Sequence, residues 1–402
     1  YVGGFAMSDE TVYYFDNNAT TRVAPEVLEA MLPFYTEQWG NPSSAYGFGN
    51  RVGDAIAAAR GQVAELLNCD VREVVFTSCG TESNNAAFNN ALLSQPGKRH
   101  IVTTSVEHSA NIKFGETHEK RGCEVTWLPV DTLGELDVHQ LHESIREDTA
   151  LVSVMYANNE TGVVFPLEEI AAICRSKGVL FHTDAVQTPG KLPVDVRALG
   201  IDYLSLSAHK LHAPKGIGLL YCRKGAPWQP YVMGGGQEMG RRGGTENVAG
   251  MVAFGKAAEL AVASLKNDGQ RICALRDRME EGIISSIPDV TRNGAKEPRL
   301  PNTSNLSIAD CEAEAILLLL DREGICASSG SACTTGSLAP SHVLTAMGHA
   351  PEQAIGSVRL SLSKYTTDKE VDYLLEKLPP IIEKLRGASP KSTEQKAEEI
   401  SQ

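Results

Sequence analysis

The feature that most constrains the fold of this chain is a regular alternation of short apolar runs with helical patterns. Between the runs lie segments of helical periodicity such as 136–147 and 167–177, the second ending in Lys177 and Gly178. Such alternation predicts an α/β fold with a large, mainly parallel sheet that has helices on both faces. The apolar runs, rich in Val, Ile, Leu and Phe, are 73–78, 100–105, 150–156, 179–184, 202–207 and 217–222.

The second half of the chain predicts a smaller α/β domain, because long helical patterns replace the alternation over 255–287, 311–323 and 367–386. A chain of 402 residues is also too long to fold around one small hydrophobic core. Residues 1–6, which precede Met7, are expected to be foreign to the protein and are left out of the fold argument. The predicted divisions are an N-terminal segment at 1–15 packing with the small domain, a large domain at 16–256, a small domain at 257–386 and a polar tail at 387–402.

Composition limits the classes of partner. The net charge is −13, from 37 basic and 50 acidic side chains, which disfavours nucleic acid as a partner. The longest strongly apolar run, 315–320, is too short to cross a membrane, so no membrane partner is expected. Nine scattered cysteines without a C-x-x-C pair predict no metal site and a reduced, cytoplasmic protein.

Polar residues follow each predicted strand, at the edge where ligands bind in such sheets. After the first strand, "CGTESNN" (79–85) places Gly80 and Thr81 at the start of a helix, a pattern typical of phosphate binding. The alternative is an ordinary helix cap by Thr81 or Ser83. His108 follows the second strand, and Asn159 lies in a turn after the third.

The fourth and fifth strands end in ionisable groups. Asp184 and Gln187 close the fourth, and a carboxylate there is costly unless a cation pairs with it. Ser207, His209 and Lys210 follow the fifth, where a surface lysine is the alternative interpretation.

Three further residues complete the candidate set. Thr245 lies in a glycine-dense loop at 234–247, which suits close approach to a ligand or a second subunit. Arg359 interrupts an apolar run and requires an anion, either a protein carboxylate or a ligand. Cys333 ends "SSGSAC" (328–333), whose small residues bury nothing, unlike the surroundings of an ordinary core cysteine.

Taken together, these residues predict a site for pyridoxal phosphate. A phosphate cradle, a lysine amine that bonds the aldehyde and an aspartate beside the ring nitrogen are the parts that this cofactor needs. Arg359 could then clamp the carboxylate of an amino-acid substrate.

Nine short motifs lie between residues 15 and 363: "FDNNATT", "NPSS", "FTSCGTES", "ANNETG", "HTDAVQ", "SLSAHKLHAPKG", "GGTEN", "SSGSAC" and "RLSLS". On these motifs the chain resembles, from about Tyr13 to Arg386, the cysteine desulfurases of the class V aminotransferase family, which have pyridoxal phosphate fold type I. "HKLHAPKG" and "GSACTTGSLAPSHVL" are most similar to the NifS type, which supplies sulfur for the iron–sulfur clusters of nitrogenase.

The resemblance implies a role for each candidate. Lys210 would bond the cofactor, and Cys333 would become the persulfide. His108 would stack on the ring and relay protons, while Asn159 and Arg359 would orient L-cysteine. The remaining cofactor contacts would be Gly80, Thr81, Ser207 and His209 at the phosphate, Asp184 at the ring nitrogen, Gln187 at the ring hydroxyl and Thr245 from the partner of a homodimer. An iron–sulfur scaffold protein would accept the sulfur.

Two alternatives stay open at this point. A selenocysteine lyase or a sulfinate-acting relative would use the same cofactor without a loop thiol. A non-catalytic sulfur carrier or iron–sulfur scaffold would use Cys333 alone, but that interpretation leaves Lys210, Asp184 and the phosphate cradle unexplained.

Overall fold

The structure is a computed structural model that describes residues 11–329 and 340–388. The described chain forms two compact units. The large unit comprises 18–269 and 294–301, and the small unit comprises 11–17, 270–293, 302–329 and 340–388. The predicted boundary after residue 256 falls inside one long helix, Val248–Ser286. Cys333 lies outside the described residues.

The large unit contains a seven-stranded sheet in the order β2-β8-β7-β6-β5-β3-β4. All neighbours pair in parallel except β8, which is antiparallel to both β2 and β7. The mainly parallel α/β sheet predicted from the sequence is therefore confirmed. The strands are β2 Val74–Thr77, β3 His100–Thr104, β4 Glu124–Leu128, β5 Thr149–Ser153, β6 Leu180–Asp184, β7 Tyr203–Ser207 and β8 Gly218–Cys222.

Helices follow most strands of the large unit and bury apolar residues against the sheet. Phe88 on α4 and Phe114 on α5 pack in one cluster with Ile101 and Leu151 of the sheet. The predicted helix over 167–177 is present and ends at Gly178, which has a φ of 63°. The helices are α1 Pro25–Met31, α2 Pro33–Thr36, α3 Gly47–Leu67, α4 Gly80–Leu93, α5 Ser109–Glu119, α6 Val138–Ser144, α7 Leu167–Lys177, α8 Val196–Leu199 and α9 Gln237–Gly240.

One glycine brings the sheet close to the start of α4. A Cβ at Gly218, the first residue of β8, would lie 2.6 Å from the carbonyl carbon of Cys79. Backbone cannot yield easily at that distance, so only glycine lets the turn before α4 lie against β8.

The small unit contains a four-stranded antiparallel sheet in the order β12-β13-β10-β9 and a two-stranded parallel pair, β1-β11. Its core includes Phe15, Met279 and Leu320, all of them fully buried. The strands are β1 Tyr13–Tyr14, β9 Val290–Arg292, β10 Thr303–Ile308, β11 Ile325–Cys326, β12 Ser328–Ser329 and β13 Ser357–Ser361; the helices are α11 Ala313–Arg322, α12 His342–Ala346, α13 Pro351–Ile355 and α14 Asp368–Gly387.

The long helix α10, Val248–Ser286, begins in the large unit and ends in the small one. Among the described residues it alone has the length and hydropathy that a membrane span needs. Half of its most apolar stretch is buried within the fold, as is usual for the core helix of a globular protein.

Candidate active site

Lys210 lies at the carboxyl edge of the large sheet, in a single 3-10 turn that follows β7. Its Nζ donates hydrogen bonds to two successive backbone carbonyls, Asn18 O at 2.5 Å and Ala19 O at 2.6 Å. The segment before α1 thus fixes the amine at the end of its long side chain. An amine positioned in this way is suited to react with a carbonyl group.

Asp184 ends the neighbouring strand β6 and is 5% exposed. Its Oδ2 accepts a 2.6 Å hydrogen bond from Asn84 Nδ2 on α4, and its Oδ1 accepts a bond from Val186 N at 3.0 Å. Among the described residues no Lys or Arg pairs with this carboxylate. A buried carboxylate with only amide donors is suited to receive a cationic N–H from a ligand.

Gln187 is 6% exposed, and both ends of its amide have partners. Nε2 donates to Asn18 O at 3.0 Å, and Oε1 accepts from Lys191 Nζ at 3.0 Å. The carbonyl of Asn18 therefore accepts from both Gln187 and Lys210, which places the Gln187 amide and the Lys210 amine next to each other.

The N-terminus of α4 is suited to an anion. Gly80 is the first residue of this 14-residue helix, and its N-cap residue, Cys79, makes no side-chain cap. Ser207 lies beside it, because a Cβ at Gly80 would be 3.5 Å from Ser207 Cβ. Thr81 is exposed in the first turn. With no side-chain cap from the described residues, the first N–H groups of α4 are left for a phosphate.

His108 is the N-cap of α5, and its Nδ1 accepts a 3.2 Å hydrogen bond from Ala110 N. A ring nitrogen that accepts an N–H carries no proton itself. The proton of the neutral ring is therefore on Nε2, and Nε2 is the atom that can exchange protons with a ligand.

Beside His108 lies a buried carboxyl group that the sequence analysis passed over. Glu107 is fully buried and accepts hydrogen bonds from Met155 N at 2.7 Å, Asn111 Nδ2 at 2.8 Å and Thr104 Oγ1 at 3.1 Å. Burial, together with a smaller contribution from the nearby Asp184, raises the pKa of Glu107 to about 8. Glu107 thereby joins the loop of His108 to the loop that follows β5.

The last two polar candidates of this edge also contact the segment before α1. His209 Nδ1 lies 3.1 Å from Thr20 Oγ1, and burial followed by the charges of Lys210, Lys215 and Lys191 lowers the pKa of His209 to about 4. The carbonyl of Asn159 accepts a 3.1 Å bond from Asn18 Nδ2. A neutral His209 can still donate one hydrogen bond to an anion.

Thr245 is exposed in this single chain and lines a pocket with Ser78 and Gly216, which flank the start of α4 and β8. Its loop is tied to α4 by Arg242, whose Nε and Nη2 donate to the carboxylate of Glu82 at 2.9 and 3.1 Å. The glycine-dense loop at 234–247 is thus attached to α4.

In the small unit, Arg359 is 4% exposed on β13, and its Nη2 lies 2.8 Å from Asp16 Oδ1. Arg359 therefore has a protein carboxylate as a partner, which is the first of the two anions that the sequence predicted for it. Arg359 is also directly opposite Ser328 in the register of β12 and β13. The strand of the arginine thus holds the strand that leads to Cys333.

Comparison with known proteins agrees with this arrangement. The family model described as "Aminotransferase class-V" matches residues 13–374. The chain belongs to this family. Within it, the chain is 56% identical to "Cysteine desulfurase 2" of Trichormus variabilis, over 96% of each chain, and 50% identical to "Cysteine desulfurase NifS" of Azotobacter vinelandii, over 94% of each.

Solved structures of the same family are also similar. A protein titled "NIFS-LIKE PROTEIN" superposes with a TM-score of 0.88 at 40% identity, covering 93% of this chain and 100% of that chain. The structure titled "SspA in complex with cysteine" superposes with a TM-score of 0.78 at 35% identity, covering 89% and 100%. The pyridoxal phosphate fold type I is thereby confirmed.

Class V aminotransferases of this branch are pyridoxal phosphate-dependent enzymes, and the residues of this chain fit the cofactor. The helix α4 lacks a side-chain cap where a phosphate needs N–H groups, Asp184 lacks a cation where a pyridinium supplies one, and Lys210 presents an amine at the same edge. The fit rests on these three features of the large unit.

The structure adds residues that sequence reasoning missed. Asn84 stands inside the quoted "CGTESNN" but was given no role, although it orients Asp184. Asn18 and Ala19 act through backbone carbonyls, for which no residue type is diagnostic. Lys191 was missed because it lies in a loop rather than at a strand end.

Proposed function

We propose that this chain is a cysteine desulfurase, which converts L-cysteine to L-alanine and takes the sulfur onto Cys333 as a persulfide. The observation that supports this most is the gathering of Lys210, Asp184 and the uncapped start of α4 at one edge of the sheet. These groups match, in kind and in place, what a pyridoxal phosphate enzyme requires.

When bound, pyridoxal phosphate supplies an electron sink that stabilises negative charge at the substrate carbons. Gly80, Thr81, Ser207 and His209 would hold the phosphate. Asp184 would keep the ring nitrogen protonated, since its buried carboxylate favours a cationic partner. Gln187 would contact the ring hydroxyl, and Thr245 would contact the phosphate of a second subunit.

Lys210 has two tasks in this proposal. Its Nζ would hold the aldehyde group of the cofactor in the resting enzyme, and the free amine would act as the base that removes the proton from the substrate Cα. The carbonyls of Asn18 and Ala19 hold Nζ in place when it is free. Asn159 and Arg359 would orient the substrate. Arg359 would do so by binding the carboxylate of L-cysteine.

Cys333 performs the sulfur transfer. Its thiolate attacks the substrate Sγ, the Cβ–Sγ bond breaks, and the electron pair stays with the three-carbon fragment, which takes up a proton and leaves as L-alanine. The new S–S bond leaves a persulfide on Cys333, so no external oxidant or reductant is needed. His108 would exchange the protons through Nε2, because Nδ1 is occupied by Ala110 N.

The finer parts of the proposal concern partners and place. A homodimer is supported by large apolar side chains on the surface of the large unit, among them Trp39 at 69% and Met233 at 85% exposure. An iron–sulfur scaffold is the proposed sulfur acceptor, with nitrogenase maturation as the purpose. The eight cysteines of the described residues are all free thiols, which agrees with the proposed cytoplasmic location.

Replacement of Cys333 by alanine is the direct test. The purified Cys333→Ala variant should keep its visible cofactor absorbance but lose both the protein-bound persulfide and the release of alanine from L-cysteine. Cys326→Ala is the matched control, since Cys326 lies on β11 in the same unit and burial raises the pKa of its thiol. This control should retain both activities.

Other outcomes separate the alternatives. Alanine release that survives in Cys333→Ala would refute the persulfide route, and preferred turnover of selenocysteine would then favour a selenocysteine lyase. A wild-type protein without any cofactor absorbance would refute the enzyme proposal altogether and favour a sulfur carrier.

A further inference from the structure

Gln187 is held by two groups of opposite hydrogen-bonding character. Lys191 Nζ lies 3.0 Å from one end of the amide, and Asn18 O lies 3.0 Å from the other end. An ammonium group can only donate, and a backbone carbonyl can only accept. The oxygen of the amide must therefore face Lys191, and its nitrogen must face Asn18. The amide thus has a single possible orientation, which does not depend on how its atoms were assigned.

This orientation leaves one donor for a ligand. Nε2 carries two N–H groups, and among the described residues one of them has an acceptor, Asn18 O. The same carbonyl also accepts from Lys210 Nζ, so the amide lies beside the amine that bonds the cofactor. Without Lys191, only the Asn18 carbonyl would fix the amide. A ligand that competed for this carbonyl could then let the amide rotate by 180° about the Cγ–Cδ bond of Gln187. A flipped amide would present an acceptor where it now presents a donor.

We infer that Lys191 is a positioning residue, which fixes the Gln187 amide so that an N–H, and not the carbonyl oxygen, faces the phenolic oxygen of the pyridoxal ring. The inference rests on the proposed function, which places the ring hydroxyl at Gln187. An N–H donor stabilises the ionised phenolic oxygen, and an acceptor in its place would favour the protonated form. Lys191 thus controls the electronic state of the bound cofactor without touching it.

The positive charge of Lys191 is a competing explanation. Lys191, Lys210 and Lys215 all lower the pKa of His209 by their charge, so each of them also acts on the site through space. Lys215 provides a control for this effect, because it is exposed and, among the described residues, the amide of Gln187 bonds to Asn18 and Lys191 and not to Lys215. A charge effect would be similar for both lysines, whereas a positioning effect requires Gln187.

A double-mutant cycle on the purified, cofactor-loaded enzyme tests the inference. The pH at which the visible absorbance of the bound cofactor changes is measured for the wild type, Lys191→Met, Gln187→Ala and the double variant. Lys191→Met should raise this midpoint by about 1 unit, as expected for the loss of one hydrogen bond to an ionised oxygen. In the Gln187→Ala background, Lys191→Met should raise the midpoint pH by less than about 0.3 unit. Lys215→Met should also move the midpoint by less than about 0.3 unit.

Two further measurements complete the test. The dissociation constant of pyridoxal phosphate for the apoprotein should rise about tenfold in Lys191→Met, whereas the thermal unfolding midpoint of the apoprotein should stay within about 2 °C of the wild type. Lys191→Ala replaces the methionine variant if that variant does not fold. Equal shifts with and without Gln187 would overturn the inference in favour of a charge effect. No shift at all would overturn it as well, because neither positioning nor charge would then act on the cofactor. A wild type without visible absorbance would instead refute the proposed function.

Discussion

Asn84 Nδ2 on α4 lies 2.6 Å from Asp184 Oδ2 at the end of β6. The helix whose N-terminus is proposed to hold the phosphate therefore also orients the carboxylate that is proposed to face the ring nitrogen. Both ends of the cofactor would depend on the placement of one helix.

The first prediction concerns this bond. Asn84→Ala should weaken pyridoxal phosphate binding by about 10- to 100-fold, because the carboxylate of Asp184 loses a charge-assisted hydrogen bond that fixes its direction. Fluorescence titration of the apoprotein measures the affinity. Asn85→Ala, one residue further along α4, is the control and should bind normally. Equal affinities of the two variants would contradict this role of Asn84.

A second prediction concerns the close approach at Gly218. Gly218→Ala should lower the free energy of unfolding by about 1–3 kcal/mol, because the new Cβ would meet the backbone of Cys79. It should also weaken cofactor binding, because the start of α4 must shift. Gly61→Ala in α3 is the control: a Cβ there meets nothing within 4 Å, and alanine should stabilise that helix by about 0.5–1 kcal/mol. Urea unfolding of the apoproteins compares them, and a Gly218→Ala variant as stable as the wild type would show that the backbone can give way.

The third prediction concerns pH. Burial raises the pKa of Glu107 to about 8, so the fold favours the protonated carboxyl. The corresponding stability is complete below the unfolded pKa of Glu, about 4.3, and is lost as the pH rises through 8. Glu107→Gln does not ionise and should escape this loss.

Urea unfolding at pH 6 and pH 9 measures the difference. Between these values the wild type should lose about 2–3 kcal/mol more stability than Glu107→Gln. The exposed Glu143→Gln variant should follow the wild type at both pH values. Parallel pH dependences of the wild type and Glu107→Gln would show that Glu107 is ionised throughout this range.

A fourth prediction concerns the pair of Arg359 and Asp16 in the small unit. Asp16→Asn keeps the shape of the side chain but removes the charge that directs the guanidinium, so the KM for L-cysteine should rise about tenfold. The pyridoxal phosphate affinity should not change. Asp372→Asn is the control, since its ion pair with Arg278 is exposed and should contribute little. A lower KM in Asp16→Asn would mean instead that Asp16 competes with the substrate.

The sequence predicted the central strands well because buried parallel strands are continuous apolar runs. β4, Glu124–Leu128, was not predicted: it forms the edge of the sheet, where partial exposure allows Glu124 and Thr126 to interrupt the apolar pattern. Lys210 and Asp184 could be predicted as site residues because each lies at or just after the end of a predicted strand. The carboxyl ends of parallel strands lie at one edge of the sheet, where ligands bind.

The remaining parts of the site could not be read from the sequence for a physical reason. Asn18 contributes a carbonyl that every residue has, and Asp16 acquires its role only by meeting Arg359 from the far end of the chain. Contacts of this kind arise from the tertiary fold, whereas motif spacing reports only local order.

The end of β12 limits the reach of Cys333 in the proposed sulfur transfer. Ser329 is held in register with Val358, and Cys333 follows four residues later. Covalent geometry allows these two Cα atoms to separate by at most about 14 Å, whatever conformation the intervening residues adopt. In the proposed reaction the Cα atom of Cys333 would therefore stay inside a sphere of that radius centred on Ser329, and its sulfur could reach beyond the sphere only by the length of one side chain. The proposed acceptor protein would have to bring its receiving thiol to that boundary, so the shape of the acceptor, and not the length of the donor, would be the condition for transfer.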